Sequence, residues 1–153
     1  MRVGIGYDSH RFASGRRLVL GGVEIDHDAG LEGHSDADVL THAVIDALLG
    51  AAGLGDLGTH FPPDDETWRD ADSVDLLRTV LGMLDAPVSN VDATVICEAP
   101  RLGPHRAEIE ASLGAALGAP VSVKATSNEG MGFVGRGEGI AAIAVALLGG
   151  GSE

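Results

Sequence analysis

Apolar residues recur along this chain with two periods. Leu40, Val44, Ala47, Leu48 and Ala51 fall at helical spacing behind Ser35 and Asp38, which read as a capping pair, and Gly53 is a natural stop. Leu76, Leu77, Val80, Leu81 and Leu84 predict a second helix. Ile109, Leu113, Ala116 and Leu117, within 104–118, predict a third. The apolar run in 138–148 reads as a fourth, buried helix. Strand character marks 2–6, the alternation Val91, Ala93, Val95, Cys97 within 90–97, and 121–126. Leu18–Leu20 and Val23–Ile25 flank Gly21-Gly22, a hairpin signal. Segments 26–33 and 55–72 read as loops, the second long enough to serve as a lid.

These elements predict one α+β domain over residues 1–148, with a frayed tail at 149–153. Its core is a mixed β-sheet, partly parallel, with helices packed on one face. The opposite face then needs a partner, so oligomerisation through the sheet side is expected.

Composition narrows the partners. The 153 residues are 44% apolar and 22% charged, within the globular range, but only 3% are aromatic and 23 are glycine. Net charge is −13. Residues 1–75 carry 15 acids and 5 bases, against 8 and 5 in 76–153. That balance argues against nucleic acid and against an anionic membrane surface. The longest strongly apolar run, 140–148, is too short to span a bilayer, and the N-terminus has no leader-like pattern. A cytoplasmic enzyme is expected. The single cysteine, Cys97, excludes an internal disulfide and reads as a small buried side chain.

Candidate chemistry gathers in two places. Asp8 and His10 stand two apart on a strand and so point the same way. His42 is a natural third ligand, and two histidines with one carboxylate leave an open position on zinc. A surface histidine paired with Asp38 and Asp46 is the alternative. Asp46, one turn on, is a candidate acceptor fixing the His42 ring. His34-Ser35, before the first helix, suits a phosphate at a helix N-terminus. Gly4-Ile-Gly6 lacks the third glycine of a dinucleotide fingerprint, and the only lysine, Lys124, has no phosphate-loop spacing. The second place is 124–140, where Thr126, Ser127, Glu129, Arg136 and Glu138 sit among glycines. Phosphate handling in so acidic a chain calls for metal ions.

At these residues the chain resembles the 2-C-methyl-D-erythritol 2,4-cyclodiphosphate synthase family of the non-mevalonate isoprenoid pathway. The resemblance runs from Arg2 to about Leu148. It is carried by Gly4-x-Gly6-x-Asp8-x-His10-x-Phe12, Gly33-His34-Ser35-Asp36-x-Asp38-x-x-x-His42, Asp46-Ala-Leu-Leu-Gly50 and Asp56-x-Gly58-x-x-Phe61-Pro62. Ala71-Asp72-Ser73, Asn90-Val-Asp92, Ala99-Pro100 and Gly132-Phe-x-Gly-Arg136-Gly-Glu138-Gly continue it.

The resemblance implies a phosphorus–oxygen lyase that cyclises 4-diphosphocytidyl-2-C-methyl-D-erythritol 2-phosphate and releases CMP. It implies Zn²⁺, one per subunit, on Asp8, His10 and His42. It implies Mg²⁺ or Mn²⁺ on Glu129, and His34 and Ser127 steadying the phosphates as catalytic residues. Ser35, Asp56, Gly58, Phe61 and Asp65 would hold the methylerythritol. Cys97, Ala99, Pro100, Arg101, Leu102, Gly103, Thr126, Ser127, Asn128, Glu129, Phe133 and Arg136 would line the cytidine side. It further implies a homotrimer with active sites between subunits, and an isoprenoid diphosphate near Arg136 and Glu138 on the threefold axis. The chain departs from the family at Pro63, where Asp is common, and at Ser127, where Thr is usual. A zinc phosphohydrolase and a trimeric isoprenoid-diphosphate binding protein are the competing classes.

Overall fold

A computed structural model describes residues 1–149. In chain order its elements are β1 (Arg2–Ser14), β2 (Leu18–Leu20), β3 (Val23–Ile25), β4 (Ala29–Leu31), α1 (Val39–Ala52), α2 (Leu57–His60), α3 (Ser73–Leu81), β5 (Val88–Ile96), α4 (Arg106–Leu117), β6 (Val121–Thr126), α5 (Gly132–Gly135) and β7 (Gly139–Leu148). The fold is α+β, as expected. Five strands form one mixed sheet in the order β4-β1-β7-β5-β6, in which only β5 and β6 run parallel. β2 and β3 form a separate hairpin turning on Gly21 and Gly22, both at positive φ, as a tight two-residue turn requires.

The central helix is α1, apolar on nearly every side and buried over almost all its length. Its cap differs from the expected one. Asp38 is the N-cap, accepting from Thr41 N at 3.0 Å, and Ser35 instead accepts from Ala37 N. Asp38 is fully buried and also accepts from Gly21 N (2.9 Å), Gly22 N (2.8 Å) and Thr41 Oγ1 (2.8 Å). One carboxylate therefore ties the hairpin to the start of α1. Burial pushes its acidity down, opposed by these donors.

α1 lies directly on the sheet. A Cβ at Gly4 would sit 2.0 Å from Ala47 O, and one at Gly6 1.9 Å from Ala43 O. The two glycines that mimic a nucleotide fingerprint thus serve helix packing. Ala142, Ala144 and Ala146 of β7 are buried between the same layers.

The predicted fourth helix at 138–148 is wrong: Gly139–Leu148 is a strand at the centre of the sheet, between β1 and β5. Both its faces are apolar, so alternation is invisible, and its alanines carry helix propensity. Three further boundaries differ. β1 runs to Ser14 rather than residue 6, 26–33 contains β4, and the loop 55–72 contains α2 and the short helical turn Glu66–Trp68. Of the expected tail, Gly149 is held through its N–H to Pro87 O at 2.8 Å, and residues 150–153 lie outside the described residues.

Val3, Ile5, Tyr7, Ile143 and Val145 stand exposed on β1 and β7, on the sheet face away from α1. Among the described residues no helix is long and apolar enough to cross a membrane.

Gly6→Ala is expected to lower unfolding stability by about 3 kcal/mol or more, because the new methyl meets backbone rather than a movable side chain. Gly103→Ala, where a Cβ meets nothing within 4 Å, should stay within about 0.5 kcal/mol of wild type. Urea denaturation of both variants checks this, and equal stabilities would contradict the packing.

Candidate metal centre

Strand parity and the height of α1 converge three side chains. Gly4, Gly6, Asp8 and His10 alternate onto the face of β1 that α1 covers. His42, buried in the first turns of α1, reaches the same point. His10 Nε2 lies 2.8 Å from Asp8 Oδ2, His42 Nδ1 lies 3.1 Å from that oxygen, and the two nitrogens are 3.3 Å apart. Among the described residues this is the one group of three such side chains close enough to share an ion.

The second nitrogen of each ring is occupied. His10 Nδ1 is 2.8 Å from Glu32 O, a carbonyl that can only accept, so that nitrogen carries hydrogen. His42 Nε2 faces Ser73 Oγ at 2.8 Å and Ser35 Oγ at 3.2 Å. Neutral His10 therefore aims a lone pair at the Asp8 carboxylate, and that crowding calls for a cation. Two imidazoles and a carboxylate, with a fourth direction open, form a donor set suited to a catalytic zinc.

The electrostatics follow. Burial alone would raise the Asp8 pKa, but hydrogen bonds and charge from His10 and His42 overcome it and hold the carboxyl at about 2. Burial alone would lower the His10 pKa, but the bond to Asp8 prevails and raises it above 6.5.

A cavity of about 220 Å³ opens beside the triad. His34, Ser35, Gly58 and Phe61 line it as expected, joined by Pro63, Trp68 and Leu76. Phe61 packs edge-on against Trp68, with centroids 4.9 Å apart. Asp56 and Asp65 do not line it. Each caps a helical turn, accepting from Thr59 N and Thr67 N respectively, while Asp65 O receives the His34 Nε2–H at 3.0 Å. His34 and Ser35 precede α1 by several residues, so they are not at its N-terminus.

Asp46 was the expected partner of the His42 ring; it instead accepts from Leu57 N at 2.7 Å. Ser73 holds that place. It was legible in the sequence only as part of Ala71-Asp72-Ser73, with no chemical role. The reading of His42 as a surface residue paired with Asp38 and Asp46 is excluded by its burial and by these contacts.

A second cavity, about 530 Å³, lies where β5 and β6 end. Cys97, Pro100, Arg101, Leu102, Gly103, Thr126 and Ser127 line it, and Ala99 does not. Burial pushes the Cys97 thiol up to about 11, so it is an unreactive wall. Beyond the strand end, Asn128 N donates to Glu98 Oε1 at 2.8 Å, and Glu129 stands exposed at φ +52° with its carboxylate 3.3 Å from Ser127 Oγ. Phe133 borders a different recess of about 290 Å³ with Ser9, His10, Arg11 and Glu138, and Arg136 pairs with Glu138 at 2.8 Å.

The triad cavity and the cavity at the ends of β5 and β6 share no lining residue. Registry sets Ser9, Ala141, Ile96 and Thr126 in one row across four strands. Three strand spacings, about 14 Å, therefore separate the metal ligands from the Thr126 end within one chain.

Residues 1–149 match the YgbB family. The 2-C-methyl-D-erythritol 2,4-cyclodiphosphate synthase of Symbiobacterium thermophilum is 60% identical over 157 aligned residues, spanning 98% of this chain and 99% of that protein. A solved 2C-methyl-D-erythritol-2,4-cyclodiphosphate synthase in its CDP-bound form is similar at TM-score 0.88 and 36% identity, over 96% of this chain and 99% of that one. The bifunctional IspDF of Campylobacter jejuni is similar at TM-score 0.90 and 36% identity over 95% of this chain, which spans 41% of that longer protein.

The pKa shifts predict opposite pH trends with and without metal. In metal-free protein, the stability from the raised His10 pKa is fully present below 6.5 and is lost as pH rises through its folded value. That from Asp8 is present above 3.8 and is lost as pH falls towards about 2. Cation binding must displace the His10 proton, so it strengthens as pH rises. Melting temperatures with and without Zn²⁺, between about pH 6 and pH 8, should diverge with increasing pH. A zinc-induced gain independent of pH would contradict the assignment.

Proposed function

Because the chain belongs to the YgbB family, the 2-C-methyl-D-erythritol 2,4-cyclodiphosphate synthases, and is an enzyme of that kind, we propose that it cyclises 4-diphosphocytidyl-2-C-methyl-D-erythritol 2-phosphate with release of CMP. The observation that carries the proposal is the convergence of Asp8, His10 and His42 beside a cavity of about 220 Å³. An oxygen of the 2-phosphate attacks the β-phosphorus. The bond from that phosphorus to the bridging oxygen breaks, and CMP leaves with the electron pair. A phosphate monoester is largely ionised near neutrality, its second pKa being about 6, so the nucleophile needs no strong base. The residues must fold the substrate back on itself and offset its charge.

Asp8, His10 and His42 would hold Zn²⁺, and Glu129 would hold Mg²⁺ or Mn²⁺. Held there, such ions would supply Lewis acidity and offset the charge of the diphosphate in a chain that carries −13. His34 and Ser35 offer polar groups at the wall of the smaller cavity, and Gly58 and Phe61 add to its largely apolar lining. Asp56 and Asp65 hold the turns that form this wall. The larger cavity, with Ser127 at its rim, would receive cytidine, in keeping with the CDP bound by the related synthase. Asn128, Glu129, Phe133 and Arg136 stand beyond that rim.

A single copy keeps its metal ligands about 14 Å from its Thr126 end and exposes an apolar sheet face. Both features favour a homotrimer in which one copy's metal centre meets its neighbour's cytidine cavity. Arg136 and Glu138 are the residues proposed for an isoprenoid diphosphate on its axis. A cytoplasmic location completes the reading.

Phosphorus NMR of the protein with substrate, Zn²⁺ and Mg²⁺ should give CMP and a cyclic diphosphate in equal amounts. CMP with a linear phosphate product would overturn the cyclase. His42→Ala should lose its zinc and its turnover while staying folded, and unchanged zinc content by metal analysis would remove the triad. Ile5→Glu, on the exposed face, should reduce the sedimenting species from three chains to one, and an unchanged mass would rule out association through this surface.

A further inference from the structure

The Nε2 edge of His42 faces away from the triad, into a buried polar contact. Ser73, fully buried as the first residue of α3, sets its Oγ 2.8 Å from that nitrogen. The Ser73 hydroxyl donates to Oδ1 of Asp36. The same carboxylate accepts from Ser73 N at 3.0 Å and from Asp38 N at 3.1 Å, so it faces donors throughout. A serine has one hydroxyl proton. With that proton given to Asp36, Ser73 Oγ can only accept at His42. His42 Nε2 then carries the hydrogen, and Nδ1 keeps its lone pair, directed at Asp8 Oδ2 and His10 Nε2.

We propose that Asp36 and Ser73 are positioning residues that select the His42 tautomer able to bind a cation. The chain runs carboxylate, hydroxyl, imidazole, metal site. It does for His42 what the Glu32 carbonyl does for His10, with a side-chain pair instead of backbone. Its second consequence concerns Ser35. The Ser35 hydroxyl is a weaker acceptor for the same Nε2–H at 3.2 Å and also accepts from Ala37 N. Its own proton stays available to a group in the cavity. Asp72 caps α3, and Ser73 is held by two bonds to Asp36, which fastens the end of the 55–72 segment beside the metal ligands.

The inference rests on the triad as a metal site, and its test separates the two. Metal-free protein labelled with ¹⁵N-histidine is read by long-range ¹H–¹⁵N correlation at a pH where His42 is neutral, and Zn²⁺ affinity is measured by chelator competition. Wild type should show His42 as the Nε2–H tautomer. In Asp36→Asn the amide can donate to Ser73 Oγ, which frees the serine proton for Nε2 and shifts His42 towards Nδ1–H. Ser73→Ala should give a mixture of tautomers. Both variants should bind Zn²⁺ about 10–100-fold more weakly, with unchanged far-ultraviolet circular dichroism. A wild-type His42 in the Nδ1–H form overturns the proposal whether or not the variants fold. Wild-type zinc affinity and tautomer in folded Ser73→Ala overturn it too, leaving the metal site intact. An Nε2–H His42 that depends on Ser73, in a protein that takes up no zinc, upholds the tautomer assignment and removes the metal reading.

Discussion

The contact on which this structure depends is the seating of α1 on the backbone of β1 at Gly4 and Gly6. No side chain separates the two elements there, since a Cβ would fall about 2 Å from a helix carbonyl. That approach sets the height of the helix over the sheet, and the height decides whether His42 can reach two ligands on a strand. A larger residue at either glycine would lift the helix, and the imidazole with it, by a distance comparable to a coordination bond. The buried alanines of β7 keep the same layer thin on the other side of β1. Fold and site are therefore one packing problem.

Buried acids organise the polar side of the same region. Asp38 gathers four donors from the hairpin and the first turn of α1, so its burial is offset by hydrogen bonds instead of by a countercharge. Asp36, two residues earlier, performs a similar service for α3. Asp8 differs in kind: it faces two imidazoles, the nearer of which can hold a proton or a shared cation. These acids thus divide into structural acceptors, Asp36 and Asp38, and a carboxylate that faces imidazoles, Asp8, which charge counting alone does not separate.

Much of this was legible in the chain. Asp8 and His10 could be paired from strand parity, because a period of two needs no tertiary information. The helix around residues 40–51, the glycine hairpin and the strand at 121–126 all carried strong local signals. The strand at 139–148 did not, because a central strand apolar on both faces loses the alternation that marks it. The partner of His42 was misread for a related reason. Asp46 is four residues along the same helix, where sequence spacing points, whereas Ser73 is brought in from a different helix by long-range packing. The separation of the two cavities was equally hidden, since it follows from strand order.

The proposed chemistry turns on Asp8, His10 and His42 together holding a catalytic zinc. X-ray absorption at the zinc edge of the protein loaded with one equivalent of metal tests this most directly. A four-ligand shell of nitrogen and oxygen at about 2.0–2.1 Å, with the outer-shell scattering of two imidazoles, is the expected result. A shell of oxygens without imidazole scattering, or a sulfur at about 2.3 Å from Cys97, would contradict it.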